Sequence, residues 1–413
     1  MMACFDIPHI HVAIPAMDEA DSLPEVLSCV AQQQTACPIT VYICVNQPEK
    51  WWEEECQKEI CLRNAATLRW LEHFRQTAPF PLVVMDKSSR SHGWQGKNEG
   101  VGWARKTLFN HILSIANPDD LVVSMDADTT FTPHYLDSVR SSMSTHPHWV
   151  ALSVPYYHPL TKEVSANRAI LRYELYMRNY LLNMLRIGSP YAFTALGSAI
   201  VVRASALKKI GGITPLKSGE DFYLLQKLRK MGPVGAWNSE CVHPAARFSE
   251  RVDFGTGPAM QKGCAGDWSS YPIYSSCIFD KIAETYQQLD MLYEKDIPTE
   301  FTLFLQQQFK TNDLWGPLRR NSRTLAQFRH AFHEKADGLR ILQFLRQEQR
   351  RENTPDAQAL CMNIRRILTK EESEDVLPLF CSGMDLDSFS DCALEQLRDS
   401  MFTAEMRLRT TIP

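Results

Sequence analysis

The chain has 413 residues, more than the roughly 250–300 at which one hydrophobic core usually stops growing, so a large domain with an appended lobe, or two domains, is expected. Hydrophobic residues at 44% and charged residues at 22% exclude a mostly disordered chain. A formal charge of -4, from 44 Lys+Arg against 48 Asp+Glu, excludes a global basic field, and with it nucleic acid as an expected partner.

From the start of the chain, Ile10 to Ile14 reads as a short apolar strand stopped by Pro15, and a helical pattern follows from Ser22 to Gln33. Ile39 to Val45, rich in β-branched residues, predicts a second strand, and Trp51 to Gln76 a long amphipathic helix. Leu82 to Met85 predicts a third strand, Asn98 to Ala116 a helix, Leu121 to Met125 a fourth strand and Trp149 to Val154 a fifth. Val164 to Ile187 predicts a long helix closed by Gly188 and Pro190. Ala195 to Val202 is strand-like, and Ala204 to Ile210 is a short helix ended by Gly211 and Gly212. This alternation is the pattern of an α/β domain.

Beyond about Asp280 the strand signals fade and helical periodicity dominates, at Phe301 to Phe309, Leu325 to Arg350 and Asp356 to Leu368. The expected organisation is therefore a catalytic α/β domain over 1–279 and a mainly helical C-terminal lobe over 280–413. A loop rich in Gly and small residues, Phe254 to Ser270, separates them. Twelve cysteines without a CxxC pair suit small buried hydrophobes in a reducing compartment rather than a disulfide scaffold or zinc site. Met1 to Ala16 lacks the basic start and apolar core of an export signal. The longest weakly polar run, Tyr191 to Val202, falls short of the roughly 20 residues a bilayer span needs. These features predict a cytoplasmic protein without an integral membrane segment.

Chemistry concentrates at four places. The fourth strand runs directly into Asp126-Ala127-Asp128, and ligands of open α/β sheets bind outside the carboxyl edge of the strands. Carboxylates two residues apart on extended chain face the same way, which suits a hard divalent cation such as Mg²⁺ or Mn²⁺ shared with substrate phosphates. An Asp-rich turn ahead of the next helix is the plainer alternative. Gly219-Glu220-Asp221-Phe222 precedes an apolar helix. The acid pair reads either as an N-terminal cap favoured by the helix dipole or as a general base taking a proton from a sugar hydroxyl. Between the third strand and the next helix, Gly93, Gly96 and Gly100 flank Lys97, a loop able to bring backbone amides and a positive charge to phosphate. His243, Arg247, Ser249 and Arg251 cluster beside Gly255 and Gly257; imidazole can ligate a metal, and arginine forks clamp phosphate oxygens. Arg168, Arg172 and Arg178 lie near one side of the long helix. A solvated face with Glu174 paired to Arg178 is expected there, and an anionic acceptor is the alternative.

The order of these motifs matters more than each alone. Pro15-Ala16-Met17-Asp18-Glu19 after the first strand, then Gly96-Lys97-Asn98, Asp126-x-Asp128, Arg203, Gly211-Gly212 and Glu220-Asp221, resemble the family-2 glycosyltransferases of GT-A fold over about residues 8–260. The resemblance implies a Rossmann-like, mixed and mostly parallel sheet flanked by helices. It implies that Pro15, Ala16 and Glu19 line the nucleotide pocket, with Lys97 near the diphosphate. Asp126 would approach ribose or metal, Asp128 would ligate the metal, and His243 would be a third ligand. Asp221 would activate the acceptor hydroxyl while Glu220 positions the acceptor. Where many members carry an Asp-Asp-Gly-Ser run, this chain has Val45-Asn46-Gln47-Pro48, which leaves Asn46 as the candidate at that wall. Breaking the bond between sugar and diphosphate develops negative charge, which the metal and Lys97, Arg247 or Arg251 would offset. The expected reaction is inverting, by one displacement, from a nucleotide-diphosphate sugar to a saccharide or lipid-linked acceptor, as in glycan or glycoconjugate assembly. Peripheral contact of the helical lobe with a membrane is compatible with this. A sugar-1-phosphate nucleotidyltransferase is the first alternative, although it would want a basic Gly-rich loop directly after the first strand. A catalytically silent sugar- or partner-binding protein is the second.

Overall fold

A computed structural model describes residues 7–248, 256–380 and 385–411. These divide into two compact units, one made of residues up to Ala166 with Ala195–Gln261, the other of Asn167–Thr194 with the residues from Lys262 onward.

The first unit is built on a seven-stranded sheet. In chain order its elements are β1 (Ile10–Ala16), α1 (Leu23–Ala31), β2 (Ile39–Asn46), α2 (Lys58–Phe74), β3 (Leu82–Lys87), α3 (Val101–Leu113) and β4 (Leu121–Ser124). There follow β5 (Thr129–Phe131), α4 (Tyr135–Thr145), β6 (Ala151–Ser153) and the start of α5 (Val164–Arg186). After α5 come β7 (Ile200–Arg203), α6 (Ala204–Lys209), α7 (Glu220–Met231), β8 (Val234–Gly235), β9 (Val242–Pro244) and the start of α8 (Thr256–Cys264). The strand order β3-β2-β1-β4-β7-β6-β8 is parallel except for β7, which runs against both β4 and β6. This is the mixed, mostly parallel sheet expected from the sequence. β1 and β4 lie in the middle and are buried along their whole length, as near-continuous apolar runs should be when both faces are covered. Because β1, β2 and β4 are parallel, with Ala13 opposite Ser124 and Ala16 opposite Val45, the residues that follow them emerge at one edge. Ala16, Asn46 and Asp126 stand there together.

A second, two-stranded sheet pairs β5 with β9 in antiparallel register, Thr130 facing His243. Three-residue strands of this kind carry too little periodicity to be read from sequence. They clip the segment after β9 onto the turn that follows β4.

Some elements differ from expectation. The helix expected over Trp51 to Gln76 begins only at Lys58; Glu49–Glu53 and Glu55–Gln57 form two tight 3₁₀ turns separated by Glu54 in extended conformation. One extended residue breaks the i to i+4 ladder, and short 3₁₀ pieces take its place. Residues 195–199 precede rather than join β7.

The second unit contains most of α5 and the end of α8, then α9 (Ser276–Gln287), α10 (Leu289–Glu294), α11 (Glu300–Phe309), α12 (Trp315–Asn321), α13 (Leu325–Lys335), α14 (Gly338–Glu352), α15 (Asp356–Ile367), α16 (Lys370–Ser373) and α17 (Asp391–Arg409). The helix expected from Leu325 to Arg350 is two, because Asp337 leaves helical geometry and its carboxylate accepts from the Arg340 amide as an N-cap. The solvated face expected for Arg168, Arg172 and Arg178 is also corrected. Arg178 is fully buried and donates to Glu174 Oε2 at 3.1 Å and Glu405 Oε2 at 2.6 Å. Arg172 is buried against Asp356, and Arg168 binds the backbone carbonyl of Phe389 and the carboxylate of Asp391. Amphipathic patterning shows which residues are polar, but not that distant carboxylates will cover them. No helix among the described residues is long and apolar enough to cross a membrane.

Candidate active site

The residues at the carboxyl edge of the sheet are joined by two arginines. Arg105 on α3 is buried and donates through Nε to Ser124 Oγ at 3.2 Å, at the end of β4. Its two terminal nitrogens bind Asp126 and Glu220, so one guanidinium ties the turn after β4 to the start of α7. Gly197 lies so close that a Cβ there would collide with the guanidinium. Sequence reasoning did not find Arg105, an unremarked basic residue within a helix whose partners come from elsewhere in the chain. Burial opposes its charge, but the carboxylates of Asp126, Glu220 and Asp221 outweigh that and hold it more basic than usual.

Asp221 sits in the first turn of α7, which Gly219 opens at φ +74°, a left-handed geometry glycine adopts without strain. The Phe222 amide donates to Asp221 Oδ1 at 2.7 Å. Although its surface is not wholly hidden, Asp221 is packed among enough protein to raise its carboxyl to about 7. Desolvation is the main cause and the neighbouring Glu220 charge the next, with Arg105 pulling the other way. Glu220 is itself buried in the Arg105 ion pair. The acid pair thus opens a helix and also contains a carboxyl poised near neutrality, the condition a general base needs.

Arg247 makes the second junction. It donates through Nε to Asp128 Oδ2 at 2.7 Å and binds Glu19 through Nη2. Ser22 Oγ donates to the other Glu19 oxygen at 2.5 Å. The β5–β9 pairing accounts for this reach, since the Ala245 amide donates to the Asp128 carbonyl at 3.1 Å two residues before Arg247. Arg247 is held more basic than usual, burial being overcome by Asp128 and Glu19. Residues from the turns after β1 and β4 and from the segment after β9 therefore share one charged cluster.

Around it, Pro15 and Ala16 end β1. Asn46 is buried, donates to the Ala16 carbonyl at 2.9 Å and accepts from Trp94 Nε1 at 3.1 Å. Lys97 is exposed in the loop before α3. Amides of that loop are already engaged: Ser91 and Gly93 each donate to the Glu49 carboxylate at 2.8 Å. His243 turns Nδ1 to the Tyr157 carbonyl at 3.0 Å and Nε2 to Cys241 Sγ at 3.6 Å. No group of three His, Cys, Asp or Glu side chains that could hold a metal occurs among the described residues. Arg251 and Ser249 lie outside the described residues. What the cluster offers to a cation is a pair of hard carboxylate oxygens, Asp126 and Asp128, and such ions complete their shell from substrate phosphates and water.

The model for glycosyl transferase family group 2 matches residues 121–288, a segment holding both the Asp126-x-Asp128 turn and the Glu220-Asp221 pair. Over those residues the chain is similar to the family-2 glycosyltransferases. No curated protein matches the chain in sequence. Among solved structures it is similar to residues 1–349 of S. aureus TarS in complex with UDP-GlcNAc, at 14% identity and TM-score 0.40, covering 97% of this chain and 92% of that one. Against a longer structure of S. aureus TarS it covers 64% of its own length and 44% of the other. A mannosyltransferase from Pyrobaculum calidifontis, in complex with GDP-Man and Mn²⁺, matches at 15% identity and TM-score 0.38, covering 79% of this chain and 87% of that one.

Proposed function

We propose that this enzyme moves a sugar from a nucleotide-diphosphate donor to an acceptor hydroxyl in a single inverting displacement. The observation that carries the reading is the meeting, through Arg105, of the Asp126-x-Asp128 turn with Glu220 and the near-neutral carboxyl of Asp221. Pro15, Ala16, Glu19 and Asn46 would border the nucleotide. Lys97, Arg247 and Arg251 would face the diphosphate, where guanidinium forks and an ammonium offset charge. Asp128 and Asp126, with His243 as a further candidate, would hold Mg²⁺ or Mn²⁺, which would act as a Lewis acid on the diphosphate oxygens.

In the displacement the acceptor oxygen forms a bond to the anomeric carbon. The bond from that carbon to the diphosphate oxygen breaks, and its electron pair leaves with the nucleotide diphosphate. Asp221 takes the proton of the attacking hydroxyl, which a carboxylate with a pKa near ambient pH can accept and then pass to solvent. Glu220, fixed by Arg105, keeps the acid pair in place. No bond from enzyme to sugar is required.

Nucleotide diphosphate release from a panel of nucleotide sugars, with Mg²⁺ or Mn²⁺, tests this. We expect release with at least one donor, and a fall of roughly 10²–10⁴-fold in Asp221→Asn, the range for losing a positioned acid or base. Asp128→Ala should abolish metal-dependent release. Turnover like the wild type in both variants would refute the assignment.

A further inference from the structure

We infer that the second unit carries a saccharide-binding pocket separate from the donor site. A cavity of about 930 Å³ lies within that unit, inside the range of pockets that enclose small organic ligands. Arg172 on α5 lines it while being only 3% exposed. One terminal nitrogen of Arg172 binds Asp356, whose other oxygen accepts from the Ile273 amide at 2.9 Å. The guanidinium also lies over the Trp268 ring, 5.0 Å from its centroid.

The rest of that guanidinium is unspent. Arg172 Nε and Nη1 are buried and have no hydrogen-bond partner among the described residues. Such orphaned donors are costly unless something accepts from them. Across the same cavity Gln349 donates through Nε2 to the Thr354 carbonyl at 3.1 Å, while its buried Oε1 likewise lacks a partner. Residues lining the cavity therefore hold two buried donors without acceptors and one buried acceptor without a donor. A hydroxyl does both.

Charge narrows the class. Arg346 and Arg350 join Arg172 on the lining, and Asp385 and Asp387 join Asp356, so acids and bases balance. An anionic ligand would leave the three carboxylates opposed, whereas a neutral polyhydroxylated ligand can donate to the acids and accept from the arginines. Trp268 adds an apolar wall for the C–H faces of a ring. A neutral hexose or N-acetylhexosamine unit, free or in a chain, has this chemistry, and the choice of a sugar rests on the transfer reaction proposed above.

The test is binding of neutral mono- and disaccharides of glucose, galactose, mannose and N-acetylglucosamine to the full chain, followed by saturation-transfer NMR and calorimetry. At least one should bind in the millimolar range or tighter, and bind equally to the Asp128→Ala variant, which would separate this pocket from the donor site. Arg172→Lys keeps a charge for Asp356 but removes the free donors; Gln349→Leu removes the acceptor at the cavity wall. Each should weaken binding by at least roughly tenfold, and Gln349→Leu decides the matter if Arg172→Lys does not fold. The proposal is overturned if no saccharide binds at about 10 mM, if binding is unchanged in Gln349→Leu, if it vanishes in Asp128→Ala, or if inorganic phosphate binds in an Arg172-dependent way while the saccharides do not.

Discussion

Burial holds Asp221 in a state that costs stability and that the proposed proton transfer would use. Its ordinary pKa of 3.8 is raised to about 7, first by desolvation and then by Glu220. Below 3.8 it is protonated in folded and unfolded chain alike, and no stability difference arises. As pH rises from there towards 7, the unfolded chain gains by ionising and the folded chain does not, so stability declines; the full cost is present above 7. Asp221→Asn removes the ionisation and can still accept from the Phe222 amide. We therefore expect the variant to melt several degrees above the wild type at alkaline pH, and the difference to shrink as the pH is lowered. Calorimetric scans across pH measure this; a variant less stable than wild type at every pH would rule out the cost. The motif itself was legible, because an acid pair at a helix start is visible in sequence. Its titration was not, since that depends on Arg105, on Glu220 and on burial.

At the scale of elements, α3 is the part that joins the two acidic motifs, through Arg105. Replacing it by Met leaves Glu220 buried and Asp126 half-buried without their cation. Stranding a buried charge costs about 3–5 kcal/mol, so chemical denaturation of Arg105→Met should show a loss of that order. Arg105→Met with Glu220→Leu should recover much of it, because an apolar pair can replace a buried ion pair. A single variant within about 0.5 kcal/mol of wild type would mean the bridge is not structural. The strands of this unit were legible where apolar runs are bounded by Pro or Asp, as at Ile10, Ile39 and Leu121. The turn after β4 was legible for the same reason. β5 and β9 were not, because runs as short as Thr-Thr-Phe and Val-His-Pro acquire strand geometry only through each other. Arg105 was invisible on similar grounds: Glu220 is 115 residues away along the chain.

Over the whole molecule, each unit buries charge at its centre. In the second unit Glu174, Arg178, Glu405 and Arg409 are wholly buried and paired, joining α5 to α17. Arg178→Met should destabilise this unit by about 3–5 kcal/mol, read by hydrogen exchange of the α5 and α17 amides, for the same reason as Arg105; unaltered protection would refute it. Helical periodicity made these helices legible, whereas the inclusion of 167–194 among them is a matter of long-range packing that composition does not carry. The proposed activity places its chemistry in the first unit and its proton transfer on one carboxyl there, Asp221. The most direct measurement is the pH dependence of kcat/KM for nucleotide diphosphate release, from about pH 5 to about pH 9, in wild type and Asp221→Asn. The wild type should lose rate on the acid side through an apparent pKa of about 7, and the variant should be slow and flat across that limb. The same profile in both enzymes, at similar rates, would contradict the role given to Asp221.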